Sequence, residues 1–253
     1  QKLDKQVLNY FKMKSKKRAN LNPWKKITKI TLNTKKIINI GIIGKYVNLK
    51  DAYKSLDEAL THGGISNKVK VNLVRIESDK LKTHQINKKL KNVSGLLIPG
   101  GFGKRGTEGK ISAIKYARDK KIPFLGICFG MQLAILESVS NLKGFKNASS
   151  TEFGKTSIPV ISMIHEWKKN KKIFTHDTKN LGGSMRLGSY ASVLKKGSKV
   201  HRIYNKIKIN ERHRHRYEVN YNYKKAIEKS GVILSGLSPD GNLVEIMERN
   251  DHP

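Results

Sequence analysis

A single cysteine stands where a nucleophile would stand. Ile122-Pro123-Phe124-Leu125-Gly126-Ile127-Cys128-Phe129-Gly130 is an apolar run closing on Gly-x-Cys-x-Gly, and an apolar helical pattern follows from Met131 through Glu137. This is the thiol version of the strand–turn–helix elbow, in which flanking glycines permit a tight, strained turn that exposes the nucleophile. The first N–H groups of the following helix face the sulfur, and their partial positive charge favours thiolate, the reactive form. A lone cysteine is more often a small buried hydrophobe. Here the glycines and the strand before them turn the expectation to a nucleophile. Acyl transfer through a thiolate also needs donors for the tetrahedral oxyanion and a group that moves the proton. The backbone N–H of Phe129, with one from Gly101 or Phe102 in the turn Pro99-Gly100-Gly101-Phe102-Gly103, are the candidate donors. By itself that turn is an ordinary glycine turn, and it lacks the Gly-x-x-x-x-Gly-Lys-Ser/Thr spacing of a phosphate loop.

Both turns must be carried by elements that bring them together. Ile37 to Gly44 reads as a buried strand, and Asp51 to His62 as a helix through Ala52, Leu56, Ala59 and Leu60. Val69 to Ile76 and Ser94 to Ile98 read as strands, 108–120 as a helix, 122–127 as a strand and 130–139 as a helix. Strands alternating with helices predict an α/β fold, a central mostly parallel sheet with helices on both faces. Functional loops in such sheets lie at the carboxyl ends of the strands, where Pro99–Gly103 and Cys128 both fall. Beyond Lys155 the pattern is less regular, with strands expected at 158–164, 207–219, 232–237 and 243–247. Residues 1–35, with the run Lys12-Met13-Lys14-Ser15-Lys16-Lys17-Arg18, read as a basic interdomain linker or arm. Residues 36–253 read as one domain.

Composition narrows the function classes. At 253 residues and 37% hydrophobic, the chain can bury a single substantial core. One cysteine excludes an intrachain disulfide and fits a reducing, cytoplasmic compartment. No apolar segment approaches membrane-spanning length, so no membrane partner is expected. The chain starts at Gln1 and reads as a piece of a longer protein. The formal charge of +33 would attract any polyanion. Lysine, however, outnumbers arginine roughly four to one and is scattered along the chain. Nucleic-acid sites favour arginine for two-pronged contacts, so no specific nucleic acid is expected.

Segments outside the elbow carry a family resemblance. They are Gly44-Lys45-Tyr46-Val47 with Asp51-Ala52-Tyr53-Lys54-Ser55, and Pro99-Gly100-Gly101-Phe102-Gly103-Lys104-Arg105-Gly106-Thr107-Glu108-Gly109. Further along come Asn147-Ala148-Ser149-Ser150-Thr151-Glu152-Phe153, Gly182-Gly183-Ser184-Met185-Arg186-Leu187-Gly188 and Glu211-Arg212-His213-Arg214-His215-Arg216-Tyr217-Glu218-Val219-Asn220. With the elbow, they resemble the class I glutamine amidotransferases, within them the glutaminase domains of CTP synthases, from about residue 20 to the last residue.

The resemblance implies a flavodoxin-like domain in which Cys128 attacks the side-chain amide of L-glutamine. Ammonia then passes to an upstream synthetase domain that aminates UTP with ATP and magnesium. No cofactor is expected in this domain, and the whole enzyme is expected to be a homo-oligomer. Gly101, Phe102, Phe129, Gly130, Met131 and Gln132 would contact substrate, and Glu152 and Arg216 would hold its amino-acid end. That pairing suits a zwitterion, because guanidinium matches a carboxylate with two prongs. Thr175 to Gly188 corresponds to a lid that in the family responds to GTP, although His176-Asp177-Thr178-Lys179 departs from the pattern. Phe129 replaces the leucine usual after the nucleophile. The family's His-Pro-Glu segment, which supplies the base and its orienting carboxylate, lies beyond the match to Asn250-Asp251-His252-Pro253. None of His213, His215 and His252 is therefore assigned as base, and negligible glutaminase turnover is expected of the chain as given. The alternatives are a glutaminase of another biosynthetic pathway, or a non-catalytic domain that keeps the pocket for binding or regulation.

Overall fold

A computed structural model describes residues 2–14, 19–47, 49–163, 166–169, 172–175 and 185–253. The chain divides into two compact units, one of residues 1–38 with 55–71, the other of residues 39–54 with 72–253. In the first unit the basic segment expected as an arm is helical twice, in α1 (Leu3–Tyr10) and α2 (Asn22–Asn33). Pro23 sits in the first turn of α2, where its missing N–H costs nothing. Residues 15–18 of the basic run lie outside the described residues.

Four strands follow the expected order: β1 (Ile37–Gly44), β2 (Lys70–Glu77), β3 (Gly95–Ile98) and β4 (Phe124–Gly126). Between them come α3 (Lys54–Ser66), α4 (Ile86–Leu90) and α5 (Thr107–Lys120). The sheet order is β2-β1-β3-β4. β3 pairs in parallel with β1 (Gly41 opposite Leu96) and with β4 (Ile98 opposite Gly126). Helix α6 (Phe129–Ser140) follows the elbow, and every residue from Phe129 to Val139 is buried. A helix enclosed all round must be apolar all round, which the run Leu133-Ala134-Ile135-Leu136 satisfies. Its one carboxylate, Glu137, is held by Arg118 of α5, whose Nε and Nη2 donate to it at 2.9–3.2 Å. Burial of Glu137 would be costly without that two-pronged match.

The second half departs from a parallel sheet. β5 (Ser149–Ser150), β6 (Pro159–Met163) and a hairpin of β7 (Glu166–Lys169) and β8 (Lys172–Thr175) precede β9 (Arg186–Leu194). Then come α7 (Lys199–Tyr204), β10 (Lys208–His215), β11 (Tyr217–Val219), α8 (Lys224–Lys229), β12 (Val232–Leu237) and β13 (Val244–Arg249). A four-stranded antiparallel sheet runs β10-β9-β12-β13, while β11, β6 and β5 form a separate sheet. The strand expected over 207–219 is therefore two, broken at Arg216 where the chain leaves one sheet for the other. β9 was not anticipated at all. Its inward face carries Arg186, Tyr190 and Ser192, so polar groups occupy the positions where apolar alternation is looked for. The expected lid over 175–188 falls mostly on residues 176–184, which lie outside the described residues.

Candidate active site

Cys128 follows the edge strand β4 and precedes the first turn of α6, with φ 55° and ψ −107°. A non-glycine residue in this region is strained by about 1–3 kcal/mol and persists only where its surroundings hold it. The positive φ thus falls on the cysteine, and the flanking glycines serve a different end. A methyl on Gly126 would stand 2.6 Å from the Gly130 carbonyl carbon, and one on Gly130 would stand 2.2 Å from Ile98 O. Glycine at both positions lets strand β3, strand β4 and helix α6 meet at the elbow.

The glycine turn after β3 arrives at the same place. A methyl on Gly100 would lie 3.6 Å from Cys128 Cβ and 4.0 Å from Sγ. The turn is held from two sides. Lys45 Nζ donates to Phe102 O at 2.5 Å, and the Gly103 N–H donates to Glu152 Oε1 at 2.8 Å. Cys128, Gly101, Phe102, Gln132, Glu152 and Arg216 all line one cavity of about 1310 Å³. That is ample for a small polar ligand.

His215, at the end of β10, is buried and lines the same cavity as Cys128. Its Nδ1 lies 3.0 Å from Glu218 Oε1. Burial opposes the imidazolium and is the largest single influence, yet the Glu218 charge and the hydrogen bonds to Cys128 and Glu218 push it up to about 10. For Glu218, burial raises and is again the first influence, but His215 and Arg186 together hold its carboxyl below the usual range. The ring is set between a sulfur and a carboxylate, and both neighbours favour its protonated form. The sulfur also makes a long contact, 3.9 Å, with Arg214 O.

The comparison with known families is specific. The profile of the family "Glutamine amidotransferase class-I" matches residues 48–253. The chain belongs to this family. The amidotransferase is 66% identical over 253 residues to the CTP synthase of Pelagibacter ubique (strain HTCC1062), an alignment covering 100% of this chain and 47% of that protein. It is 50% identical over 254 residues to the CTP synthase of Zymomonas mobilis subsp. mobilis, covering 99% of this chain and 47% of that one. The chain thus spans about half the length of the curated relatives it matches. Among solved structures, the Trypanosoma brucei CTPS glutaminase domain with bound acivicin superposes with a TM-score of 0.74 at 30% identity. That match covers 85% of this chain and 82% of the other.

The amidotransferase brings most of the expected substrate contacts to the cavity. Gly101 and Phe102 are exposed on its rim, Phe102 at 77%. Met131 and Gln132 line it, but Gln132 spends its polar groups on the scaffold. Its Nε2 donates to Tyr217 O at 2.7 Å and its backbone N–H to Cys128 O at 3.2 Å. The Gly130 N–H is likewise engaged, donating to Ile127 O at 2.9 Å. Phe129 is buried, its ring edge-on to Phe153, and neither it nor Gly130 lines the cavity. Glu152 sits in the 3₁₀ turn Thr151–Phe153, and Arg216 at the break between β10 and β11. His252 lies apart from the thiol chemistry, its Nε2 3.1 Å from Ala117 O at the end of α5. The pairing missed from sequence is His215 with Glu218. The i, i+2 alternation of His213 and His215 against Arg212 and Arg214 would have placed both rings on one strand face.

Proposed function

We propose that this domain hydrolyses the side-chain amide of L-glutamine through the Cys128 thiolate and passes the ammonia to a synthetase region. There ATP and magnesium would support amination of UTP to CTP. The observation that carries the reading is the Cys128 elbow, with its thiol between the Gly100–Gly103 turn and the His215 cation. The identity to CTP synthases along the whole chain supports the pathway.

The sulfur would attack the amide carbon. The developing oxyanion would be met by the Phe129 N–H and by one N–H from Gly101 or Phe102, an interaction worth several kcal/mol when preorganised. Collapse breaks the C–N bond, the leaving nitrogen takes a proton, and a glutamyl thioester remains for water to cleave to glutamate. Glu152 and Arg216 would hold the ammonium and carboxylate of the substrate. His215, fixed as a cation, suits the thiolate's counter-ion and is a poor acceptor for the proton of the attacking water. The proton-moving histidine is expected instead in the family's His-Pro-Glu segment. Among the described residues no group of three or more His, Cys, Asp and Glu side chains could hold a metal ion. GTP as activator, a homo-oligomeric whole enzyme and a cytoplasmic location complete the reading. Among the described residues no helix is long and apolar enough to cross a membrane.

The test is covalent labelling by a glutamine-derived chloroketone, followed by intact mass, together with glutamate release. Labelling should occur once, at Cys128, be slowed by glutamine and be lost in Cys128→Ser. Rapid turnover should appear in the whole protein and be far slower in the 253-residue chain. An unlabelled Cys128 in both would instead favour a pocket-keeping binding domain.

A further inference from the structure

Behind the thiol lies a chain of buried charges that the hydrolytic steps do not use. Arg186, on the inward face of β9, is 1% exposed and has a carboxylate on each prong. Its Nη1 donates to Glu218 Oε1 at 2.6 Å and its Nη2 to Glu245 Oε1 at 2.5 Å. His213 Nε2 lies 2.6 Å from Glu245 Oε2, and its Nδ1 lies 2.9 Å from Glu211 O. The guanidinium stacks 4.5 Å from the centroid of the Tyr190 ring. His215 accordingly shares one oxygen of Glu218 with Arg186, and Glu218 Oε2 has no hydrogen-bond partner.

We propose that Arg186 is a positioning residue that, through Glu218, holds the His215 ring against the Cys128 thiol. The inference rests on the reading of Cys128 as nucleophile. The groups facing this pair come from five elements: Cys128 from the elbow, Arg186 from β9, His213 and His215 from β10, Glu218 from β11 and Glu245 from β13. Glu152 and Arg216 line the same cavity.

Charge balance gives the argument its direction. Two buried carboxylates face the cations Arg186 and His215, and buried charges are tolerated only when paired. Removing the guanidinium leaves two carboxylates with His215 and His213 alone, so Glu218 either takes up a proton or swings toward another donor. In both cases His215 loses the carboxylate that orients it, and burial then favours the neutral ring. The thiolate loses its counter-ion. Removing a catalytic group outright would abolish turnover at every pH, whereas losing a positioning residue displaces the pH profile.

The experiment is iodoacetamide alkylation of Cys128 against pH in the whole protein, with chloroketone labelling of the wild type alongside. Arg186→Met is expected to shift the profile to higher pH and slow alkylation at pH 7 roughly tenfold. Arg186→Lys, which keeps the charge but not the fork, is expected to recover part of that loss. Because the Met variant can fail to fold, histidine ¹⁵N shifts of the wild type supply a second measurement. They are expected to report a doubly protonated His215 at pH 8. A neutral His215 there, or a folded Arg186→Met protein with an unchanged profile, would overturn the proposal. A wild type that the chloroketone does not label would overturn instead the nucleophile reading on which it rests.

Discussion

At the scale of single residues, the charged groups around the elbow are placed where water is scarce, and their ionisation reports that. Lys110 of α5 is 1% exposed, with its ammonium 5.0 Å from the centroid of the Phe129 ring. Burial, and then the charge of Lys45, bring it down from 10.5 to about 8. The unfolded chain holds this proton more tightly than the folded one, so stability rises with pH between about 8 and 10.5 and is at its lowest, as far as this group matters, below 8. Lys110→Met keeps the aliphatic bulk without the buried charge. It is expected to stabilise by about 2 kcal/mol at pH 7, with the gain shrinking toward pH 10.5. Denaturant midpoints of the two proteins at pH 7 and pH 10 check this, and an equal gain at both would contradict the burial argument.

At the scale of elements, the elbow is a three-way contact between backbones. A Gly130→Ala methyl meets a carbonyl oxygen at 2.2 Å rather than a side chain that could rotate away. Strand β3 and helix α6 would have to separate, at a cost of about 3 kcal/mol or more. Thiol reactivity should fall with it, because the strained turn depends on that contact. Gly63 in α3 is the contrasting case, with nothing within 4 Å of where its methyl would go. Gly63→Ala is expected to stabilise by about 0.5–1 kcal/mol through the unfolded chain. Urea unfolding of both variants separates the two roles of glycine.

At the scale of the molecule, two sheets of different kinds supply one site. The parallel sheet delivers Cys128 and the glycine turn from the carboxyl ends of β4 and β3, as doubly wound sheets do. The antiparallel sheet delivers His215 from the end of β10, and Glu218 follows after the switch at Arg216. The net charge of +33 acts on the chain as a whole, since like charges repel. Screening relieves that repulsion over a Debye length. Raising sodium chloride from about 0.05 to 0.5 M is therefore expected to raise Tm by roughly 3–6 °C. A thermal scan showing no gain, or a loss, would mean that short-range ion pairs outweigh the general field.

What the sequence determined by itself is what neighbours in the chain can encode. The elbow, the turn after Ile98, and the strands and helices from Ile37 to Ser140, α4 excepted, follow from short apolar periods punctuated by glycine, and the structure has them within a few residues. The family followed from spaced segments too. The tertiary structure decided what depends on pairing across distance. A polar inward face on β9 concealed a strand, because Arg186 is buried by carboxylates contributed from β11 and β13 rather than by its own pattern. The same holds for His215. Its ring has its proton held more tightly than usual only because a separate sheet places it beside Glu218, and no local rule of alternation or spacing contains that contact.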